Sequence, residues 1–183
     1  MLLSSLLSGF LLATSVISTP ASSASSQAEL VASGHIEFEV AQKAVIQVQQ
    51  SVKNLCRQGY KDEVKRKLDS IYQPIFEVAV KIHEIVQIKE TIVLNNVETY
   101  FIAFVKLLVE FEIIIKTVVD YPHIVKNSKS HFSQFNTHFE VISKDLHACG
   151  INVDKRLHEH PELHFTIWAT VGITFQSNYL ESH

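Results

Sequence analysis

The densest set of side chains able to bind a metal or move a proton is Leu157-His158-Glu159-His160-Pro161-Glu162-Leu163-His164. Imidazoles four residues apart on a helix can share a zinc or copper ion, and His160 and His164 have that spacing, with His158 as a third nearby donor. Pro161 falls between them, so a helix would have to start inside the pair. The zinc-protease pattern, His-Glu-x-x-His on an unbroken helix, is not met. A solvated His-rich turn is the simpler expectation for His158, His160 and His164.

Elsewhere the residues that could do chemistry stand apart. His83-Glu84 lacks a second His four residues on and reads as surface beside Ile82 and Ile85. Serine is never set in Gly-x-Ser-x-Gly, and five glycines in all leave no phosphate-binding loop. The carboxylate pairs Glu37 with Glu39 and Glu110 with Glu112 fall within single helical segments, where both members are expected to face solvent. The chain therefore reads as a non-enzyme with no cofactor.

Cys56 and Cys149 are the two cysteines. The leader assigns them to an oxidising route, where a lone pair most simply forms one disulfide, and so long a loop would contribute about 4 to 5 kcal/mol in the chain-entropy model. That leader is Met1 to Ile17, an uncharged Leu-rich run followed by small residues from Ser18 to Ser26. An apolar stretch and a small-residue cleavage zone make a secretory signal peptide over residues 1–24, removed after Ala24 or, as an alternative, Ala28. Ser and Gly interrupt the run too early for a bilayer-spanning helix, so the mature chain carries no transmembrane span. The address expected is secreted and extracellular. No Asn-x-Ser/Thr sequon occurs.

Sixteen Lys and Arg against 19 Asp and Glu leave a formal charge of −3, and no basic block is interleaved with aromatics beyond Lys61 to Lys67. Nucleic acid is excluded as a partner on that balance. Ten His residues would turn the net charge positive near pH 5.

These residues must be positioned by helices, because the hydrophobic period is helical almost throughout. Residues 25–34 are rich in Ser and Ala and are expected to form a flexible leader to a bundle domain over 35–183. The first stripe is Ile36, Val40, Ala44, Val48, Val52 and Leu55, capped at Gly59. The second runs through Val64, Leu68, Ile71, Ile75, Val78, Ile82 and Ile85 and continues in phase across Pro74, which either kinks one helix or opens another. The third carries Val97, Tyr100, Phe104, Leu107, Phe111, Ile114 and Val118 and stops at Tyr121-Pro122. Its charged positions Glu98, Lys106, Glu110, Glu112 and Lys116 exclude a membrane span. A fourth begins at Ser128 or Ser130 with Phe132, Phe135, Phe139, Ile142 and Leu146 inward and stops at Gly150. Beyond it, Asn152 or Asp154 starts a short helix, and Pro161 opens a last one through Leu163, Ile167 and Val171, with an extended segment over 165–175 as the competitor.

The fold class is thus all-α, a bundle of five to six antiparallel amphipathic helices closed by one disulfide. The disulfide constrains the topology. In a plain up-down-up-down bundle, the ends of helices one and four that carry Cys56 and Cys149 lie at opposite ends, far beyond the ~6 Å between Cα atoms that a bridge allows. Either Pro74 or a crossover through residues 121–129 reverses the later helices, or the bridge is not there.

The third helix carries more apolar side chains than one stripe needs. Phe101, Phe104, Phe111, Ile114 and Ile115 spread over much of its circumference, so neighbours must cover it all round or it must line a cavity for an apolar ligand.

In layout the chain resembles the small secreted helical proteins of filamentous and rust fungi, with Leu68-Asp69-Ser70-Ile71-Tyr72-Gln73-Pro74-Ile75-Phe76 and the following Ile/Val-rich helices as the most familiar portion. The resemblance implies an effector-like protein acting on a host. It is also similar to the fungal hydrophobic-surface-binding and cell-wall mannoprotein group, some of which take up lipids. Two functions follow. One is an interaction protein for a host or cell-surface macromolecule, with a filled core and an exposed apolar patch. The other is a carrier of a fatty acid or sterol, with an enclosed apolar cavity of about 300 Å³ or more beside the third helix.

Overall fold

A computed structural model describes residues 21–88 and 91–174. The described residues form six helices: α1 (Ala21–Gln58), α2 (Lys61–Gln87), α3 (Thr91–Val119), α4 (Pro122–Ala148), α5 (Val153–His158) and α6 (Phe165–Thr170). No strand occurs among them. Residues 1–20, which hold most of the stretch 1–24 read from sequence as a signal peptide, and residues 175–183 lie outside the described residues.

Helix α1 starts earlier than its apolar stripe suggests and takes in residues 25–34. Gly34 is where α1 closes on its neighbours: a Cβ there would stand 2.7 Å from Ile85 Cδ1 and 3.0 Å from Tyr100 Cε1. At the other end Gly59 adopts φ +75°, a left-handed conformation that suits glycine, and the Tyr60 N–H reaches back to the Leu55 carbonyl at 3.0 Å. Pro74 sits inside α2, which continues through it as one helix. Helix α4 begins six residues before Ser128, because the proline that stops α3 also opens α4 at its first turn. The crossover considered for residues 121–129 is therefore helix. Asn152 caps α5 by accepting the Lys155 N–H at 3.2 Å. The stretch 165–170, for which an extended form competed, is helix α6.

Packing follows a different neighbour order from the chain order. Helices α1 and α4 each pack on both α2 and α3, so α1 faces α4 across the bundle diagonal. Short connections make successive helices antiparallel, yet two neighbouring pairs run parallel. His35 meets Tyr100 and Gln49 meets Glu110 along α1 and α3. Tyr72 meets Phe135 and His83 meets Asp145 along α2 and α4.

The alternating helix directions correct the disulfide. Cys56 is at the α1–α2 turn, while Cys149 follows α4 at the end where α2 finishes, roughly 30 Å away at 1.5 Å of rise per residue. Both are free thiols, and neither Pro74 nor residues 121–129 reverses the chain to bring them together. The bundle is all-helical but is not closed by a bridge.

The core is aromatic at its centre. The Phe111 ring lies 5.0 Å from Phe135, 5.2 Å from Phe139, 6.0 Å from Phe132 and 5.7 Å from Trp168. Such edge and tilted contacts add to the burial of large apolar rings. Trp168 comes from α6, so the chain after α4 returns along the outside of α3 and α4 and closes the core there.

The outward face of helix α3 as a candidate interaction site

Helix α3 is apolar on most sides because three elements cover it: α1, α4 and the returning segment 151–174. Phe104, Phe111, Ile114 and Ile115 are fully buried in that packing. Phe101 is buried as well, but its edge lines a groove. The apolar ligand-lining residues proposed from sequence are thus all core residues, with Phe101 alone also lining the groove.

Three covers leave one strip of α3 outward. Ile102 is 46% exposed and Ile113 42%, and with Val109 and Lys106 they form a ridge. The successive spacings of four, three and four residues from Ile102 to Lys106 to Val109 to Ile113 keep them on one side of the helix. A groove of about 660 Å³ runs along this strip from Gln42 of α1 to the returning segment, with Phe101 and Val105 beside the ridge and Arg156, His160 and Glu162 at its far edge. A smaller groove of about 250 Å³ separates the ridge from α1.

Most polar groups along the grooves are already engaged. Arg156 donates two hydrogen bonds to Glu98 at 2.6 and 2.7 Å, and its guanidinium lies 4.0 Å above the Phe101 ring. The Arg156 hydrogen bond holds the Glu98 carboxyl below its ordinary value. Glu110 accepts from Gln49 Nε2 at 2.7 Å. His160 Nδ1 accepts the Glu162 N–H at 3.4 Å. Such fixed, paired groups suit recognition rather than proton transfer.

Behind the returning segment lies a polar hub that sequence reasoning missed. Glu112, expected at the surface, is 1% exposed. One of its carboxylate oxygens accepts from Trp168 Nε1 at 2.6 Å and from the His164 backbone N–H at 2.8 Å. The other lies 2.9 Å from both His164 Nδ1 and Lys116 Nζ. Burial pushes the carboxyl pKa up, but the hydrogen bonds from Trp168, His164 and Lys116 outweigh it and hold the value below the ordinary one. A signal existed: Glu112 falls in register with Phe101, Val105, Leu108 and Ile115, a buried stripe in which it is the one charge.

The three His of the C-terminal cluster are dispersed by the turn at Pro161. His158 Nδ1 faces the Asp154 carbonyl at 2.8 Å, His160 turns to Glu162, and His164 joins the Glu112 hub. No group of three or more His, Cys, Asp or Glu that could hold a metal occurs among the described residues. His83, read as surface from its neighbours, is exposed and also reaches α4, with Nδ1 3.2 Å from both carboxylate oxygens of the buried Asp145.

Compared with protein families, curated proteins and solved structures, the chain matches none of them. No helix among the described residues is long and apolar enough to cross a membrane.

Proposed function

We propose that this is a secreted, extracellular, non-enzymatic interaction protein that binds a protein or other macromolecule at a cell surface through the outward face of α3. The observation that carries the reading is the pair of exposed isoleucines, Ile102 and Ile113, aligned with the half-buried Val109 on one strip of a helix whose other large apolar side chains from residue 97 onward are packed. Large apolar side chains aligned on one strip, beside grooves with fixed polar edges, favour a macromolecular contact over solvent. The leader supports the address, and the layout shared with small secreted fungal proteins supports an effector-like role toward a host.

The test has two arms. Expressed as the full chain in yeast, the protein is expected in the medium with its new N-terminus after Ala24 or Ala28. The labelled secreted protein should then bind intact plant or fungal cells, and Ile102→Asp with Ile113→Asp should lower that binding at least about tenfold without changing the fold. Retention inside the cell would sink the address, and equal binding by the double variant would sink the site.

One observation favours the carrier as a second reading: the groove beside α3 has the volume of a small-molecule site, about 300 to 1,000 Å³ by survey. It is open and edged by charge, so a fatty-acyl or sterol ligand would lie against Phe101, Val105 and Val109 rather than inside the core. Native mass spectrometry of the secreted protein separates the two, since a carrier retains ligand mass.

A further inference from the structure

The ridge on α3 carries a pattern that reads alike in both directions. At 1.5 Å of rise per residue, Lys106 and Glu110 stand about 3 Å to either side of the level of residue 108. Ile102 stands about 9 Å to one side and Ile113 about 7.5 Å to the other, while Val109 lies within about 2 Å of that level. The returning segment follows the same plan. Arg156 meets Glu98, and His164 meets Glu112, so His160 and Glu162 fall between those levels, beside the middle of the ridge.

Charge on the face is correspondingly divided. Glu98 neutralises Arg156 at one end, and Glu39, which lines the smaller groove, stands 3.8 Å from Lys43 on the α1 flank, which leaves Lys106 as the cation on that side and Glu110 with Glu162 as anions toward the other. A partner surface of one sign would set a like charge against Lys106 or against Glu110. A surface with the same division, turned end for end, would satisfy both. Two-fold symmetric interfaces require such a self-complementary patch, in which residue i meets residue j and j meets i.

We propose that the outward face of α3 pairs with the same face of a second copy of this chain, as an antiparallel two-fold dimer. An axis lying across the ridge at the level of residue 108 brings Ile102 to Ile113 of the partner subunit, Lys106 to the partner's Glu110, and Val109 close to the partner's Val109. The axis keeps the α1 sides together, so Lys106 and the partner's Glu110 lie along the same edge, and His160 and the partner's Glu162 along the other. The inference rests on the reading of this face as a protein-binding surface and adds its occupant. Self-pairing and capture of a cell-surface macromolecule then compete for one site.

Sedimentation velocity and light scattering on protein from full-chain expression, over a wide concentration range, test it. A concentration-dependent shift from monomer to dimer is expected, weakening as salt is raised. Lys106→Glu alone and Glu110→Lys alone should each weaken pairing at least about tenfold, because each sets like charges opposite one another twice. Mixed in equal amounts, the two variants should pair again, since both contacts are then between opposite charges. Glu110→Lys also loses its bond to Gln49, and the mixture shows whether that internal loss or the interface is being read.

A monomer at every concentration overturns the proposal, as does a mixture that associates no better than either variant alone. If the wild type stays monomeric while Ile102→Asp still abolishes cell binding, the dimer fails and the interaction reading stands. If the dimer forms but cell binding ignores the ridge, the interaction reading fails and the dimer stands.

Discussion

Replacing Glu112 by alanine is expected to release the returning segment before the four long helices unfold. The magnitude follows from what the carboxylate holds. The buried Trp168 Nε1 and the part-buried His164 backbone N–H each lose their acceptor, at about 1 to 3 kcal/mol for the buried donor and about 1 kcal/mol for the other. Lys116 and the His164 imidazole are about half exposed and can turn to water, so they add little. Lost packing of the side-chain methylenes adds about 1 kcal/mol, for a total of about 4 kcal/mol. In a domain of this size 1 kcal/mol moves the melting midpoint by about 2 to 4 °C, so a drop of about 8 to 16 °C is expected. Glu112→Gln keeps one oxygen for Trp168 and His164 and should lose about half as much.

The assay is built into the site, because Trp168 is the sole tryptophan of the chain. Its emission reports docking of α6 on Phe111 and Phe139, while circular dichroism at 222 nm reports the long helices. In the alanine variant the fluorescence transition should come first. The carboxyl is held below its ordinary value, so its stabilisation is present above the unfolded-state pKa and is lost as pH falls through the folded value. The gap between wild type and variant should therefore close in acid, below about pH 4. An alanine variant melting within about 2 °C of wild type with unchanged emission would show that Glu112 does not hold the returning segment.

His138 supplies another test. Its ring packs against Tyr72 and Phe76, Nε2 has no partner among the described residues, and burial lowers its pKa. A depressed His pKa means stability is lost as pH falls through the unfolded value of about 6.5, and His138→Leu should remove that loss in denaturant titrations between pH 7 and pH 5. Burial raises the Cys56 thiol pKa to about 11, and burial followed by the nearby Asp145 charge raises that of Cys149. Because the two cysteines stand at opposite ends of the bundle as free thiols, titration in denaturant without reductant should count two thiols per chain, and reductant should leave the melting midpoint unchanged; a count of zero would restore the disulfide.

The helical class was legible because the stripes of α2 and α3 repeat at three and four residues regardless of what covers them. Gly59 and Gly150 marked helix ends for the same local reason: only glycine adopts their positive φ cheaply. The ridge of α3 was half legible. Its surplus of apolar positions showed that more than one face had to be covered, but Ile102 and Ile113 look in sequence like Phe104 and Ile114.

What covers each side depends on neighbour order, and periodicity carries no information about which stripe meets which. That α2 runs unbroken through Pro74 is a matter of tertiary packing; it keeps the alternation of helix directions, so the two cysteines stand at opposite ends, free, and the bundle is unbridged. The same holds for Glu112. Its place in an apolar stripe is set by the chain, but its donors come from His164 and Trp168, more than fifty residues on, after the chain has turned back over α3. Local sequence determined the helices and their caps, because those energies act within a few residues. Long-range packing determined which buried charge has partners and which apolar strip stays outside.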